Sequence, residues 1–281
     1  MARILDTIPT FHDFAKGAYL ESPHVRATRW KALYQNAYPE VFEAFAAASG
    51  ESDIPSLMAR NLRAITERAL AGEKVTIKLI EEVQPELIEA LKAKGPSERS
   101  PGSEPRHVVI VGNSSTNAVV GLLEGEVALF HCMEWFDTAD TQRVLVAHET
   151  THAFHQIALG EASPTDLAWM AFYEGLAIRA SREVVPGRPE KEYFWYGYPE
   201  PRGWLAWCTE NREALRDAMR EGFTRTDDVA DAFFGGGLVG GVVRAGFFIA
   251  DDLVGAIGAT LPELMAMSSD EGRTALLEVL G

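Results

Sequence analysis

Cysteine is scarce in this chain, and its scarcity excludes two kinds of protein. Only Cys132 and Cys208 occur among the 281 residues. Two thiols in so long a chain do not form the disulfide framework of a small secreted domain, and they do not form a zinc site of cysteine ligands.

Positive charge is also in short supply. Lysine and arginine number 26 against 41 aspartate and glutamate residues, which gives a formal net charge of −15. A chain this acidic is repelled by nucleic acid and by anionic membranes, so neither is an expected partner.

Long apolar runs are missing as well. The longest apolar stretch, residues 235–250, is rich in glycine and interrupted by Arg244, and it is shorter than the ~20 residues of a membrane span. Residues 1–14 lack the basic start and apolar run of a signal peptide. We therefore expect a cytoplasmic protein. Because 47% of the residues are hydrophobic, a sizeable core is expected too.

The chain is predicted to have two parts. Residues 1–105 show helical spacing of apolar side chains over 24–48, 56–71 and 75–93, with a break near Pro39. The segment Lys94–Arg106, rich in proline, glycine and serine, is a boundary or a long surface loop. We therefore predict a helical N-terminal region over 1–105 that packs on a catalytic core over 106–281.

In the second part, the sequence pattern predicts strands as well as helices. Residues 107–112 and 125–131 are predicted strands, and helices are predicted over 141–159, from about Thr165 to Ser181, and over most of the C-terminal part. The fold class is therefore α+β and mostly helical. Strand 125–131 is a candidate edge strand for binding an extended peptide, or an ordinary sheet strand.

The segment His148-Glu149-Thr150-Thr151-His152 carries the chemistry. Residues four apart lie on one face of a helix, so both imidazoles can bind one zinc ion. Glu149 leaves the helix in another direction and is placed to act as the general base that takes a proton from water.

A zinc ion in a catalytic site needs a third protein ligand. Glu174 is the best candidate, because a carboxylate within the apolar segment 169–178 needs a partner when it is buried. The alternative for Glu174 is an ion pair with Arg179 or Arg182. His155 competes as a ligand, but three histidines along one straight helix converge poorly on a small ion, so packing is the expected role of His155.

These motifs resemble those of gluzincin-type zinc metallopeptidases, in which a second helix supplies the glutamate. More narrowly, the chain is similar to bacterial proteins regarded as zinc-dependent proteases that carry a domain of unknown function. The matching segments are Val146–His152, Tyr173–Ala177 and Arg244–Ile249. The resemblance implies a zincin-like (thermolysin-like) core with a small antiparallel sheet, an active-site helix and a helical C-terminal part. It also implies a Zn²⁺ cofactor and a peptide or protein substrate.

The chain departs from that pattern in two places. One is the third matching segment, where phenylalanines stand in place of the tyrosine that such helices often carry. The other is Ile178, which stands where thermolysin-type enzymes carry an aspartate that orients a zinc histidine. Asp137, Asp140 and Asp166 are the candidates to replace it.

Hydrolysis of an amide also needs a donor for the developing oxyanion. Tyr196 is the first candidate and Arg244 the second; Tyr193 and Tyr198 lie in the same aromatic segment as Tyr196. The alternatives are packing for the tyrosines, and an ion pair with Asp251 or Asp252 for Arg244.

The sequence therefore predicts a zinc metallopeptidase with His148, His152 and Glu174 as ligands. Three alternatives stay open: a zinc hydrolase of a non-peptide amide or ester, a catalytically silent zinc-binding protein, and a helical interaction protein without metal. The oligomeric state is not indicated.

Overall fold

The computed structural model describes residues 2–50, 54–91, 104–160, 166–223 and 229–281. The chain forms two compact units, one of Met1–Gln84 with Ser103–Ala153 and one of Pro85–Gly102 with Phe154–Gly281. The boundary predicted at residue 105 stays a prediction, because most of the loop that suggested it, 92–103, lies outside the described residues.

A four-stranded mixed sheet forms the centre of the first unit. Its order is β1-β2-β4-β3, with β1–β2 and β2–β4 parallel and β3–β4 antiparallel. Glu124 and Gly125 join β3 to β4 with φ values of 56° and 80°, the left-handed conformation of a two-residue hairpin turn. The strands are β1 (Arg3–Asp6), β2 (Arg106–Ile110), β3 (Ala118–Leu123) and β4 (Glu126–Cys132).

The sheet corrects two expectations. The predicted antiparallel sheet is wrong, because the sheet is mixed and β1 joins it from the N-terminal region that was read as helical. Of the two alternatives for 125–131, the edge strand is wrong and the ordinary sheet strand is confirmed, since β4 lies between β2 and β3. Strand β3 was not predicted from the sequence.

Helices surround this sheet. Tyr34 joins the helical layer to it: the Tyr34 hydroxyl lies 2.6 Å from the Thr7 hydroxyl and accepts a hydrogen bond from Val111 N at 3.0 Å. The expected break near Pro39 is confirmed, because Pro39 opens a helix. The helices that begin in this unit are α1 (Ile8–Lys16), α2 (Pro23–Leu33), α3 (Pro39–Ser49), α4 (Ile54–Ala59), α5 (Leu62–Leu91) and α6 (Ala139–Leu159).

The second unit is helical. Its first helix is capped by Asp166, whose carboxylate accepts a hydrogen bond from Trp169 N at 2.8 Å and pairs with Arg273. The part of the predicted helix start that precedes Asp166, 163–165, lies outside the described residues. The helices are α7 (Leu167–Val184), α8 (Glu192–Trp195), α9 (Trp204–Glu210), α10 (Arg212–Gly222), α11 (Val229–Phe234), α12 (Ala245–Ala256), α13 (Leu261–Ala266) and α14 (Ser269–Leu280).

Helices α7 and α12 pack closely, and Gly175 permits it. A Cβ atom at Gly175 would overlap the Ala250 carbonyl and lie 2.5 Å from Val254 Cγ2. The glycine after Glu174 is therefore required by packing. Over the described residues, no helix is long and apolar enough to span a bilayer.

Candidate metal centre

Helix α6 carries the two histidines in an apolar setting. Val144, Leu145, Val146 and Ala147 before them are buried, as are Ala153 and Phe154 after them. A helix that is apolar on all sides belongs in a core. His148 and His152 are therefore nearly enclosed, with 2% and 5% of their surfaces exposed.

The two rings face each other across one helical turn. Their Nε2 atoms lie 3.0 Å apart, and the ring planes meet at 88°. The expected convergence of the two imidazoles is present.

Glu174 joins the two histidines. The ligand atoms of His148, His152 and Glu174 all lie within 4.8 Å of one another. Two imidazole nitrogens and a carboxylate oxygen are a donor set that zinc accepts. Ligands of a tetrahedral zinc ion lie about 3.3 Å apart, so these separations fit a metal ion. The group can bind a metal.

The alternative partners of Glu174 are engaged elsewhere. Arg179 Nε lies 2.9 Å from the Asp251 carboxylate, and Arg182 pairs with Asp251 and Glu190, at 2.9 and 2.8 Å. Both arginines that the sequence offered as partners of Glu174 thus bind other carboxylates.

Glu149 lies half-buried beside the histidines. Burial raises the pKa of the Cys132 thiol well above its ordinary value, and the negative charges of Glu134 and Glu149 raise it further. The charge of Glu149 therefore acts on Cys132, the last residue of β4.

His155 packs among aromatic rings. Its ring stacks on Tyr173 at a centroid distance of 5.8 Å and lies 5.3 Å from Trp169. His155 does not belong to the group of ligand atoms that contains His148 and His152. The packing role expected for His155 matches these contacts.

Arg244 lies among aromatic rings in the second unit. Its guanidinium carbon lies 4.1 Å from the centre of the Phe247 ring, 5.4 Å from Trp195 and 5.7 Å from Tyr198. Its Nη2 donates to Phe194 O at 3.2 Å. Arg244 has a left-handed backbone with φ of 58°, so its conformation is strained.

The carboxylates suggested as partners of Arg244 bind other arginines. Asp251 pairs with Arg179 and Arg182, and Asp252 pairs with Arg216. These two carboxylates thus bind arginines other than Arg244.

Tyr196 also borders Phe247. Its ring centre lies 6.2 Å from that of Phe247, and its backbone is left-handed with φ of 47°. Tyr193 instead has a structural role, since its hydroxyl donates to Val185 O at 2.6 Å. The two candidate donors Tyr196 and Arg244 thus share one neighbour.

Asp166 does not serve as a partner for a zinc histidine. Its carboxylate is taken up by the N-terminus of α7 and by Arg273. That suggestion from the sequence is corrected.

Sequence reasoning missed two buried polar groups. His107 Nδ1 lies 3.1 Å from His131 Nε2, and His107 Nε2 lies 2.7 Å from Gln84 Oε1. Burial lowers the pKa of His107 to about 4. His131 is fully buried in this chain of hydrogen bonds.

Glu134 is the second missed group. It is buried, and its carboxylate accepts hydrogen bonds from Gly112 N and Ser114 N at 3.0 Å. Burial raises its pKa to about 7. The only signal in the sequence is its position between Met133 and Trp135.

Comparison with protein-family models, curated proteins and solved structures finds no match to this chain.

Proposed function

We propose that the protein is a zinc-dependent hydrolase, and specifically a metallopeptidase. The observation that carries the proposal is the group formed by His148, His152 and Glu174, whose ligand atoms lie within 4.8 Å of one another. These residues would hold the ion. A bound zinc ion supplies a Lewis acid that polarises a carbonyl group and lowers the pKa of water.

Glu149 is the base in this proposal. It follows His148 directly on α6, so its side chain leaves the helix about 100° away from that ligand. Its half-buried carboxylate can accept a proton from the attacking water and return it to the leaving amine. A site that only held a metal would have no need of this carboxylate.

Arg244 and Tyr196 are the proposed donors for the oxyanion. Both lie against the Phe247 ring, and we expect this packing to restrict their side chains before substrate binds. A fixed donor costs no reorganisation when charge develops. The choice of a peptide bond over other amides or esters rests on the resemblance of the HETTH and YEGLA segments to gluzincins.

The test measures metal content and cleavage of a peptide library on the same preparations. Glu149→Gln should keep zinc and lose at least a hundredfold in cleavage rate, because only the base is removed. Glu174→Gln should lose zinc. Glu183→Gln, an exposed position on the same helix as Glu174, is the matched control and should change neither.

Two results would contradict the proposal. Equal cleavage rates of wild type and Glu149→Gln would show that Glu149 is not the general base. Zinc bound by wild type without cleavage of any peptide would leave a metal-binding protein or a hydrolase of other bonds.

A further inference from the structure

A half-open cavity of about 220 Å³ lies in the first unit, apart from the residues of the metal group. One wall is the beginning of α5 with the two residues before it. The other wall is the loop after β2 together with the turn after β4. The residues that matter for its chemistry are Arg60, Ala64, Arg68, Ser114, Glu134 and Trp135.

Two arginines line the cavity, Arg60 and Arg68, and neither forms a salt bridge among the described residues. The charge of Arg60 does act on the Glu134 carboxyl group and lowers its pKa, against the larger effect of burial. Other arginines of this unit do form salt bridges: Arg3 pairs with Glu126, and Arg143 pairs with Glu82. Within the part of the chain that the structure describes, Arg68 donates to the backbone oxygen of Glu134, at 3.4 Å. The chain has a net charge of −15. Two guanidinium groups at one cavity are a local positive charge in it and attract an anion.

The floor of the cavity is fixed by the buried Glu134. Its carboxylate holds the backbone N–H groups of Gly112 and Ser114, and Ser114 has a left-handed φ of 60°. With a pKa near 7, this carboxyl group is partly neutral at physiological pH. It therefore cancels less of the charge of the arginines than an ordinary glutamate would.

The cavity is open beside Ala64, because this side chain is small. Ala64 and Arg68 lie one turn apart on α5, and Asn61 caps the helix by accepting a hydrogen bond from Ala64 N at 3.2 Å. The helix N-terminus adds positive potential at the same place. The indole of Trp135 supplies an apolar side.

We propose that this cavity binds a small molecule through an oxyanion group, a carboxylate or a phosphate, held between Arg60 and Arg68. Guanidinium groups bind both oxyanions by paired, charge-assisted hydrogen bonds. The volume suits a molecule of the size of a short dicarboxylic acid or a phosphorylated three-carbon compound. The site does not depend on the metal, so its test is independent of the test of the proposed peptidase activity.

Calorimetric titration of the full chain with inorganic phosphate, and separately with succinate, tests the proposal. One anion or both should bind saturably at one site, and the one that binds identifies the chemistry of the natural ligand. Arg60→Gln and Arg68→Gln should each weaken binding at least tenfold. Arg63→Gln, an exposed neighbour on α5 outside the cavity, should leave it within twofold.

A second variant separates a built site from general attraction by positive charge. Ala64→Leu fills the space and keeps both arginines, so it should also weaken binding at least tenfold. The absence of saturable binding of both anions overturns the proposal. Equal weakening by Arg63→Gln and Arg60→Gln, or unchanged binding by Ala64→Leu, overturns it as well.

Discussion

His148 and His152 present their Nε2 atoms to each other at 3.0 Å from successive turns of α6. Two imidazole lone pairs repel at this distance unless a proton or a cation lies between them. Glu174 adds a carboxylate to the same group, and that addition favours a divalent cation over a single shared proton.

Zinc should therefore stabilise the folded protein. At a free zinc concentration about 1,000 times Kd, we expect a gain of about 4 kcal/mol in the free energy of unfolding. His152→Ala should abolish the gain, and His155→Ala should retain most of it. Thermal unfolding with and without zinc measures the effect. A larger loss of the zinc response in His155→Ala than in Glu174→Ala would reassign the third ligand.

Arg244 should act on turnover more than on substrate binding. Arg244→Lys keeps the charge but loses the planar fork above Phe247, so kcat should fall at least tenfold with little change in KM. Arg212→Lys, which also lies over a ring, that of Phe248, is the matched control. Equal kcat in the two variants would remove Arg244 from the reaction.

The local elements were predictable where periodicity is strong. Helix α6, predicted over 141–159, spans Ala139–Leu159, and the two predicted strands 107–112 and 125–131 correspond to β2 and β4. The histidine pair followed from helical spacing alone, because positions four apart must share a face.

The sheet topology was not predictable, because pairing depends on long-range contacts. β1 is only Arg3–Asp6, and it pairs with Arg106–Val109 about a hundred residues away. The helix predicted over 56–71 is divided between α4 and α5. Helix α5 then continues without a break to Leu91, through most of the helix predicted over 75–93, and Gly72 packs against the Phe136 side chain. The buried polar groups His107 and Glu134 also escaped prediction, since only tertiary packing decides their burial.

Stability should depend on pH through His107. Its pKa is about 4 in the folded chain, against ~6.5 when unfolded. The unfolded chain therefore takes up a proton first as pH falls, so stability is lost from pH 6.5 towards 4. The unfolding free energy of His107→Gln relative to wild type should rise by about 2 kcal/mol from pH 7 to pH 5. Urea unfolding at both values measures this, and a constant difference would show that His107 is not so buried.

Glu134 should make stability depend on pH in the opposite direction. Its pKa is about 7 in the folded chain, above its unfolded value, so its contribution is fully present below ~4.5 and is lost as pH rises through 7. Glu134→Gln should therefore gain about 2 kcal/mol on wild type between pH 5 and pH 8. Urea unfolding at pH 5 and pH 8 checks this prediction. A fall in the unfolding free energy of Glu134→Gln relative to wild type over this range would contradict the burial of the charge.

Gly175 should be intolerant of a side chain. Gly175→Ala brings a methyl group into the Ala250 carbonyl and Val254, and we expect a loss of roughly 1–3 kcal/mol in unfolding free energy. Gly236→Ala meets no atom within 4 Å and should change it by less than about 0.5 kcal/mol. Equal stability of the two variants would mean that α7 and α12 are farther apart.

An anomalous difference map at the zinc absorption edge, from a crystal grown with zinc, tests the central claim most directly. The account predicts one strong peak within about 2.1 Å of the His148 and His152 Nε2 atoms and of a Glu174 carboxylate oxygen. A map without a peak there, or with the ion bound by other side chains, would contradict it.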